Sequence, residues 1–105
     1  MPIAELSAQE AKRRFDAGEI ALVDVRETWE LELAHIDGAL HIPLGELPDR
    51  LDELPTDRAL VFICHHGVRS LHACLVARAG GRVAANLHGG IAAWSAEVDP
   101  KIPQY

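Results

Sequence analysis

The chain has 105 residues, 49% of them hydrophobic and 25% charged, with a formal net charge of −6. These values fit one globular domain spanning residues 1–105 and exclude disordered and fibrous classes. A negative balance without a Lys/Arg stripe argues against nucleic acid as a partner, and no apolar run approaches membrane-spanning length.

Ser7-Ala8-Gln9-Glu10 has the form of a capping box, and the stretch from Ala11 to Ala17, with Phe15 on its apolar side, reads as a first helix ended by Gly18. Ile3 to Leu6 before it reads as a brief edge strand. Ile20 to Val25 is a buried strand, too short and too continuously apolar for a helix, and polar residues Asp24, Arg26 and Glu27 gather at its end. Thr28 to Ala34 suits one or two helical turns, His35 to Ala39 a turn, and Leu40 to Ile42 a short strand stopped by Pro43. Leu47, Leu51 and Leu54 are spaced as one helical face within Glu46 to Leu54, and Pro55 closes it.

Ala59 to Ile63 is a second buried strand, followed at once by Cys64-His65-His66-Gly67-Val68-Arg69-Ser70 and then by Leu71 to Ala77, free of Gly and Pro. That second segment reads as a helix apolar almost all round, hence packed on more than one side, ending at Gly80-Gly81. Val83 to Leu87 makes a last strand, and Gly89 to Trp94 turns into a final helix. Strands alternating with helices imply an α/β fold with a mostly parallel sheet covered on both faces. Ligands of such sheets bind beyond the carboxyl ends of the strands, where Asp24 and Cys64 would lie.

Cys64 therefore sits between a strand end and a helix N-terminus, where N–H groups and the positive dipole end favour thiolate over thiol. Cysteine also packs inertly in many cores, but the polar, partly cationic company of His65, His66, Gly67 and Arg69 favours a reactive group. Cys74, mid-helix among Leu71, Leu75 and alanines, reads as packing. Gly67 suits either a backbone nest for an anion or an ordinary turn. His65, His66 and Arg69 either face an incoming anion or stand solvated. Asp24 reads as pairing with Arg26 in support of the site. His35 and His41 suit structural hydrogen bonds, and Trp29 and Trp94 core packing. No CxxC or HxxxH spacing accompanies Cys64, His65, His66 and His72, so no metal is expected. Two cysteines are too few for a disulfide framework, and Met1 to Leu6 shows no basic segment before an apolar core, so a soluble protein of the reducing cytoplasm is expected.

Four ordered stretches carry a resemblance. Leu22-Val23-Asp24-Val25-Arg26, Ala34-His35-Ile36-Asp37-Gly38-Ala39, Cys64 to Arg69, and Leu87-His88-Gly89-Gly90-Ile91-Ala92-Ala93-Trp94 resemble, in order, the motifs of the single-domain rhodanese sulfurtransferases. Ala34 replaces a common glycine and Arg82 a usual aromatic. The resemblance implies a rhodanese-like three-layer fold, with a five-stranded, mostly parallel sheet and helices on both faces. It also implies a persulfide carrier without a cofactor. Cys64 would take sulfur from a small donor such as thiosulfate or a persulfide, in the manner of a thiosulfate:cyanide sulfurtransferase. It would pass that sulfur to a thiol, to cyanide or to a sulfur-carrier protein. His65, His66, Gly67, Val68, Arg69 and Ser70 would form the substrate loop, with Asp24 and Arg26 behind it. Residues 98–105 resemble the end of rhodanese domains fused to adenylating enzymes that thiolate ubiquitin-like carriers, which suggests a protein acceptor. Related cysteine-centred loops in phosphatases and arsenate reductases place five residues between cysteine and arginine, where this chain has four. A catalytically silent interaction module is the remaining alternative.

Overall fold

A computed structural model describes residues 3–105. Two five-residue strands, β2 (Ile20–Asp24), apolar up to its final Asp24, and β4 (Ala59–Ile63), apolar throughout, pair in parallel from Ile20 with Ala59 to Asp24 with Ile63. Continuous burial along both is the signature of a sheet covered on two faces. The short strands β1 (Glu5–Leu6), β3 (Leu40–His41) and β5 (Ala84–Leu87) complete a five-stranded, wholly parallel sheet in the order β1-β5-β4-β2-β3.

Alternation along the strands divides the core in two. Ile20, Leu22, Val61 and Ile63 face Ala8 and Ala11 of α1 (Ala8–Asp16) and Ile91 and Trp94 of α5 (Gly90–Glu97). Ala21, Val23, Leu60 and Phe62 face Leu47 of α3 (Leu47–Arg50) and Ala73, Cys74 and Ala77 of α4 (Val68–Ala79). The remaining helix, α2 (Thr28–Leu33), follows β2. From β2 the chain crosses outward to β3, and from β4 it crosses the other way to β5. The carboxyl end of β4 is therefore a topological switch point, the place where open parallel sheets leave a crevice.

Local chemistry explains the element ends. Ser7 caps α1 by accepting the Glu10 N–H at 3.1 Å, whereas the Glu10 side chain turns away to Arg13 and Arg14, so only half of the capping box forms. In the 44–54 stretch one continuous helix gives way to a 3₁₀ turn at Leu44–Glu46, the single turn α3, and a second 3₁₀ turn at Leu51–Glu53. Pro48 brings no N–H to the first α-helical turn, and Arg50 leaves helical geometry at φ −126°. The leucine face survives this break, with Leu47 and Leu54 buried and Leu51 packed against the same core. Arg82, where an aromatic was expected, donates to the carbonyls of Leu51, Leu54 and Pro55 and ties this stretch to the approach to β5.

One expectation about packing is narrowed and another overturned. The α4 helix lies on the sheet and beside α3, but it is not covered all round: its inward face is the small-residue row Ser70, Ala73, Cys74 and Ala77, while Val68, Leu71 and Leu75 are exposed. Small residues let the helix sit close to the sheet, and among the described residues nothing covers its outer side. Trp29 is 59% exposed instead of near the core, because α2 turns its neighbour Glu30 inward. Trp94, by contrast, is buried and meets Phe15 edge-on with centroids 6.4 Å apart.

Candidate active site

The apolar run of β4 delivers the chain to Cys64 with no slack, and the residue is 1% exposed. Gly67, at φ 109°, turns the chain into α4 through a conformation that L side chains avoid. This turn sends the Gly67 N–H back to Cys64 Sγ at 3.1 Å, and the Ser70 hydroxyl lies 3.3 Å from the same sulfur. Burial works to raise the Cys64 thiol. The Ser70 hydroxyl and the backbone N–H groups of Ser70, Gly67 and His66 work to lower it, and the net direction is below the ordinary thiol. Cys74, buried without such donors, is pushed up to about 12.

Residues beyond the loop hold it in place. Asn86 of β5 accepts the Ser70 hydroxyl at 2.5 Å and donates to the Gly67 carbonyl at 3.0 Å, so one amide fixes both the bend and the hydroxyl. The start of α5 grips the other side, with Ile91 N–H donating to the Cys64 carbonyl at 2.8 Å and Ala92 N–H to that of His65 at 3.2 Å. Gly90 permits this approach. A Cβ there would stand 2.4 Å from the His65 oxygen, and its φ of 61° is itself a glycine conformation.

The charged residues pair with one another instead of with the sulfur. Arg69 makes a two-pronged contact to Glu30, at 2.6 and 2.8 Å, and Glu30 is almost fully buried. The Arg69 guanidinium drives the Glu30 carboxyl down to about 2 against the opposing effect of burial, with the Tyr105 hydroxyl and a backbone N–H helping. Asp24 and Arg26 form a second, wholly buried pair at 2.7 Å, as the sequence suggested. Arg26 also donates to the Ala34 carbonyl at 2.8 Å and to the Tyr105 hydroxyl at 2.8 Å. Burial opposes the Arg26 charge, but Asp24 and Tyr105 outweigh it and the guanidinium is held above its usual range. Both Asp24 carboxylate oxygens are bonded to Arg26.

His65 is sandwiched between two rings, Tyr105 at 3.9 Å and nearly parallel, and His66 at 4.0 Å. Burial, then the neighbouring His66, moves its imidazole below the usual range. His66 and Val68 are exposed on the rim. His41 bonds the Arg26 carbonyl at 2.7 Å and His35 the Asp37 carboxylate at 3.1 Å, both structural roles.

The loop thus brings together Cys64, Gly67 and Ser70 around one sulfur, with His65 and His66 beside it, and separates Asp24 and Arg26 into a supporting layer. Sequence reasoning missed Asn86, Glu30 and Tyr105. For Asn86 a signal existed, since a lone amide inside the apolar run of β5 must find partners when buried. An open groove of about 520 Å³, with Phe15, Ile36, Trp94 and Ile102 in its wall, lies apart from the loop, none of whose residues line it. Among the described residues no three His, Cys, Asp or Glu side chains are grouped to hold a metal ion, and no helix is long and apolar enough to cross a membrane.

Comparison with known proteins gives a consistent picture. The family model described as rhodanese-like domain matches residues 7–97. The protein YtwF of Bacillus subtilis is 37% identical over 102 residues, covering 96% of this chain and 99% of its own. A protein named sulfurtransferase from Allochromatium vinosum is 38% identical, covering 89% of each. The structure of the human single-domain sulfurtransferase TSTD1 aligns with a TM-score of 0.80 and 31% identity, covering 91% of this chain and 98% of that one.

Proposed function

The chain belongs to the rhodanese-like domain family of sulfurtransferases, and from that premise we propose that it carries sulfur as a persulfide on Cys64. The observation that carries this reading is the convergence of the Gly67 N–H and the Ser70 hydroxyl on Cys64 Sγ at the start of α4. The Cys64 thiolate attacks the outer sulfur of a donor. A new S–S bond forms, the donor's own S–S bond breaks, and the leaving group departs with the electron pair as sulfite from thiosulfate or as a thiolate from an organic persulfide. The N–H groups that hold the thiolate then face the charge of the bound persulfide. In the second step an acceptor nucleophile takes the outer sulfur and the Cys64 thiolate returns.

The acceptor class is a thiol, cyanide or a sulfur-carrier protein, and the site of action is a reducing compartment such as the cytoplasm, in which both free cysteines persist. The four residues between Cys64 and Arg69 close a loop sized for one sulfur atom, whereas a tetrahedral oxyanion needs a larger ring. Reduced protein incubated with thiosulfate is expected to gain the mass of one sulfur atom, removable by cyanide, and Cys64→Ser is expected to gain none. Turnover of thiosulfate by Cys64→Ser would refute the mechanism. Phosphate release from an aryl phosphate without any sulfur adduct would replace it with a phosphatase.

A further inference from the structure

Tyr105 lies outside the stretch matched by the family model, residues 7–97, yet its side chain meets Arg26, Glu30 and His65 beside the Cys64 loop. Its hydroxyl donates to Glu30 Oε2 at 2.6 Å and accepts from Arg26 Nη1 at 2.8 Å. Its ring stacks on His65 at 3.9 Å with 4° between the planes. Burial first, then the Glu30 carboxylate, pushes the phenol up, so it stays protonated and keeps that bond direction at neutral pH. One side chain thereby joins the ends of β2 and α2 to the loop.

We propose that Tyr105 is a positioning residue for the Cys64 loop: its ring fixes the His65 imidazole, and its hydroxyl holds Glu30 in place for Arg69. The kinetic part of this assignment rests on the sulfur-transfer reading. The tail is anchored without Tyr105. Ile102 is buried, its carbonyl accepts the Ser95 hydroxyl at 2.5 Å, and Gln104 donates to the Ala92 carbonyl at 3.3 Å. A change at position 105 therefore alters the rim while the tail stays docked. Cys64 Sγ is held by Gly67 and Ser70, whereas the Tyr105 side chain engages Arg26, Glu30 and His65, so thiolate formation is expected not to depend on it.

The test uses Tyr105→Leu and Tyr105→Phe in the full chain, with thiosulfate and glutathione persulfide as donors. Tyr105→Leu is expected to raise the donor KM about tenfold, the scale of losing a hydrogen bond to a charged group. Its kcat and the pH profile of Cys64 alkylation by iodoacetamide are expected to stay as in the unaltered protein. Tyr105→Phe keeps the ring, so KM is expected to fall between the two. NMR titration gives a readout that needs no turnover. The groups facing His65 are His66, Glu30, Arg69 and both the ring and the backbone of Tyr105, the backbone bond favouring the charged imidazole. Neither substitution removes that backbone bond, so uncovering the ring face is expected to raise the imidazole midpoint in Tyr105→Leu and to leave it in place in Tyr105→Phe. Unchanged KM together with an unchanged His65 midpoint in Tyr105→Leu would overturn the assignment. Should Tyr105→Leu melt without cooperativity, Tyr105→Phe decides, and an unaltered KM there overturns the hydroxyl's part. If the unaltered protein takes sulfur from neither donor, the sulfur-transfer reading falls, and the His65 midpoint alone judges Tyr105.

Discussion

Ser70 illustrates how much one hydroxyl decides. It has a single proton, given to the Asn86 amide oxygen at 2.5 Å while the Cys64 sulfur waits 3.3 Å away. With Cys64 as a thiol, the S–H can donate to the serine oxygen. With Cys64 as a thiolate, the serine proton is better placed on sulfur, a charge-assisted bond worth more than a neutral one. Ser70→Ala removes that option and is expected to move the Cys64 titration upward, read as a rightward shift in the pH profile of its alkylation. The same change strands the buried Asn86 oxygen, at a cost of about 1–3 kcal/mol in folding stability. A profile that stayed in place would assign the lowered thiol to the backbone N–H groups alone.

At the scale of elements, two further joints hold the loop beside the Asn86 contact from β5. One is between α2 and α4, where Glu30 meets Arg69. The Glu30 carboxyl is depressed from 4.5 to about 2, so its contribution is fully present above about pH 4.5 and lost as the pH falls toward 2. For a nearly buried group that amounts to on the order of 3 kcal/mol. Urea unfolding at pH 7 and pH 3 is expected to show less loss of stability on acidification for Glu30→Gln than for the unaltered protein, because the variant has already given up that proton-linked term. The second joint is between β4 and α5. Gly90→Ala drives a Cβ to 2.4 Å from the His65 oxygen, backbone that cannot swing aside. It is expected to cost about 3 kcal/mol or more in thermal or urea unfolding, and to slow sulfur loading even in protein that remains folded. Wild-type loading by folded Gly90→Ala would mean that the grip of α5 on the loop is dispensable.

For the whole molecule, what could be read from the sequence follows the reach of each signal. The strands β2 and β4 were legible because Ile20 to Val23 and Leu60 to Ile63 announce burial within five residues, and the Cys64 loop because its chemistry is contiguous. The open side of α4 was not, since exposed Val68, Leu71 and Leu75 are as apolar as the core, and the face on the sheet is written in small residues. Pro48 explains the broken 44–54 stretch but left no trace in the leucine spacing. Glu30 and Tyr105 escaped for a geometric reason: they touch across 75 positions of chain, and Arg69 reaches Glu30 across 39. An acid in a short helix and a tyrosine in a tail look like surface residues until the fold brings them together.

The depth of Cys64 has one more consequence. At 1% exposure Cys64 is screened from solvent and from oxidants that consume open thiolates. On the proposed mechanism a bound sulfur would add one S–S bond of about 2.05 Å, and the reactive atom would no longer be the one the fold conceals. The cargo itself would supply the reach, and on delivery the thiol would again be closed off beneath the loop.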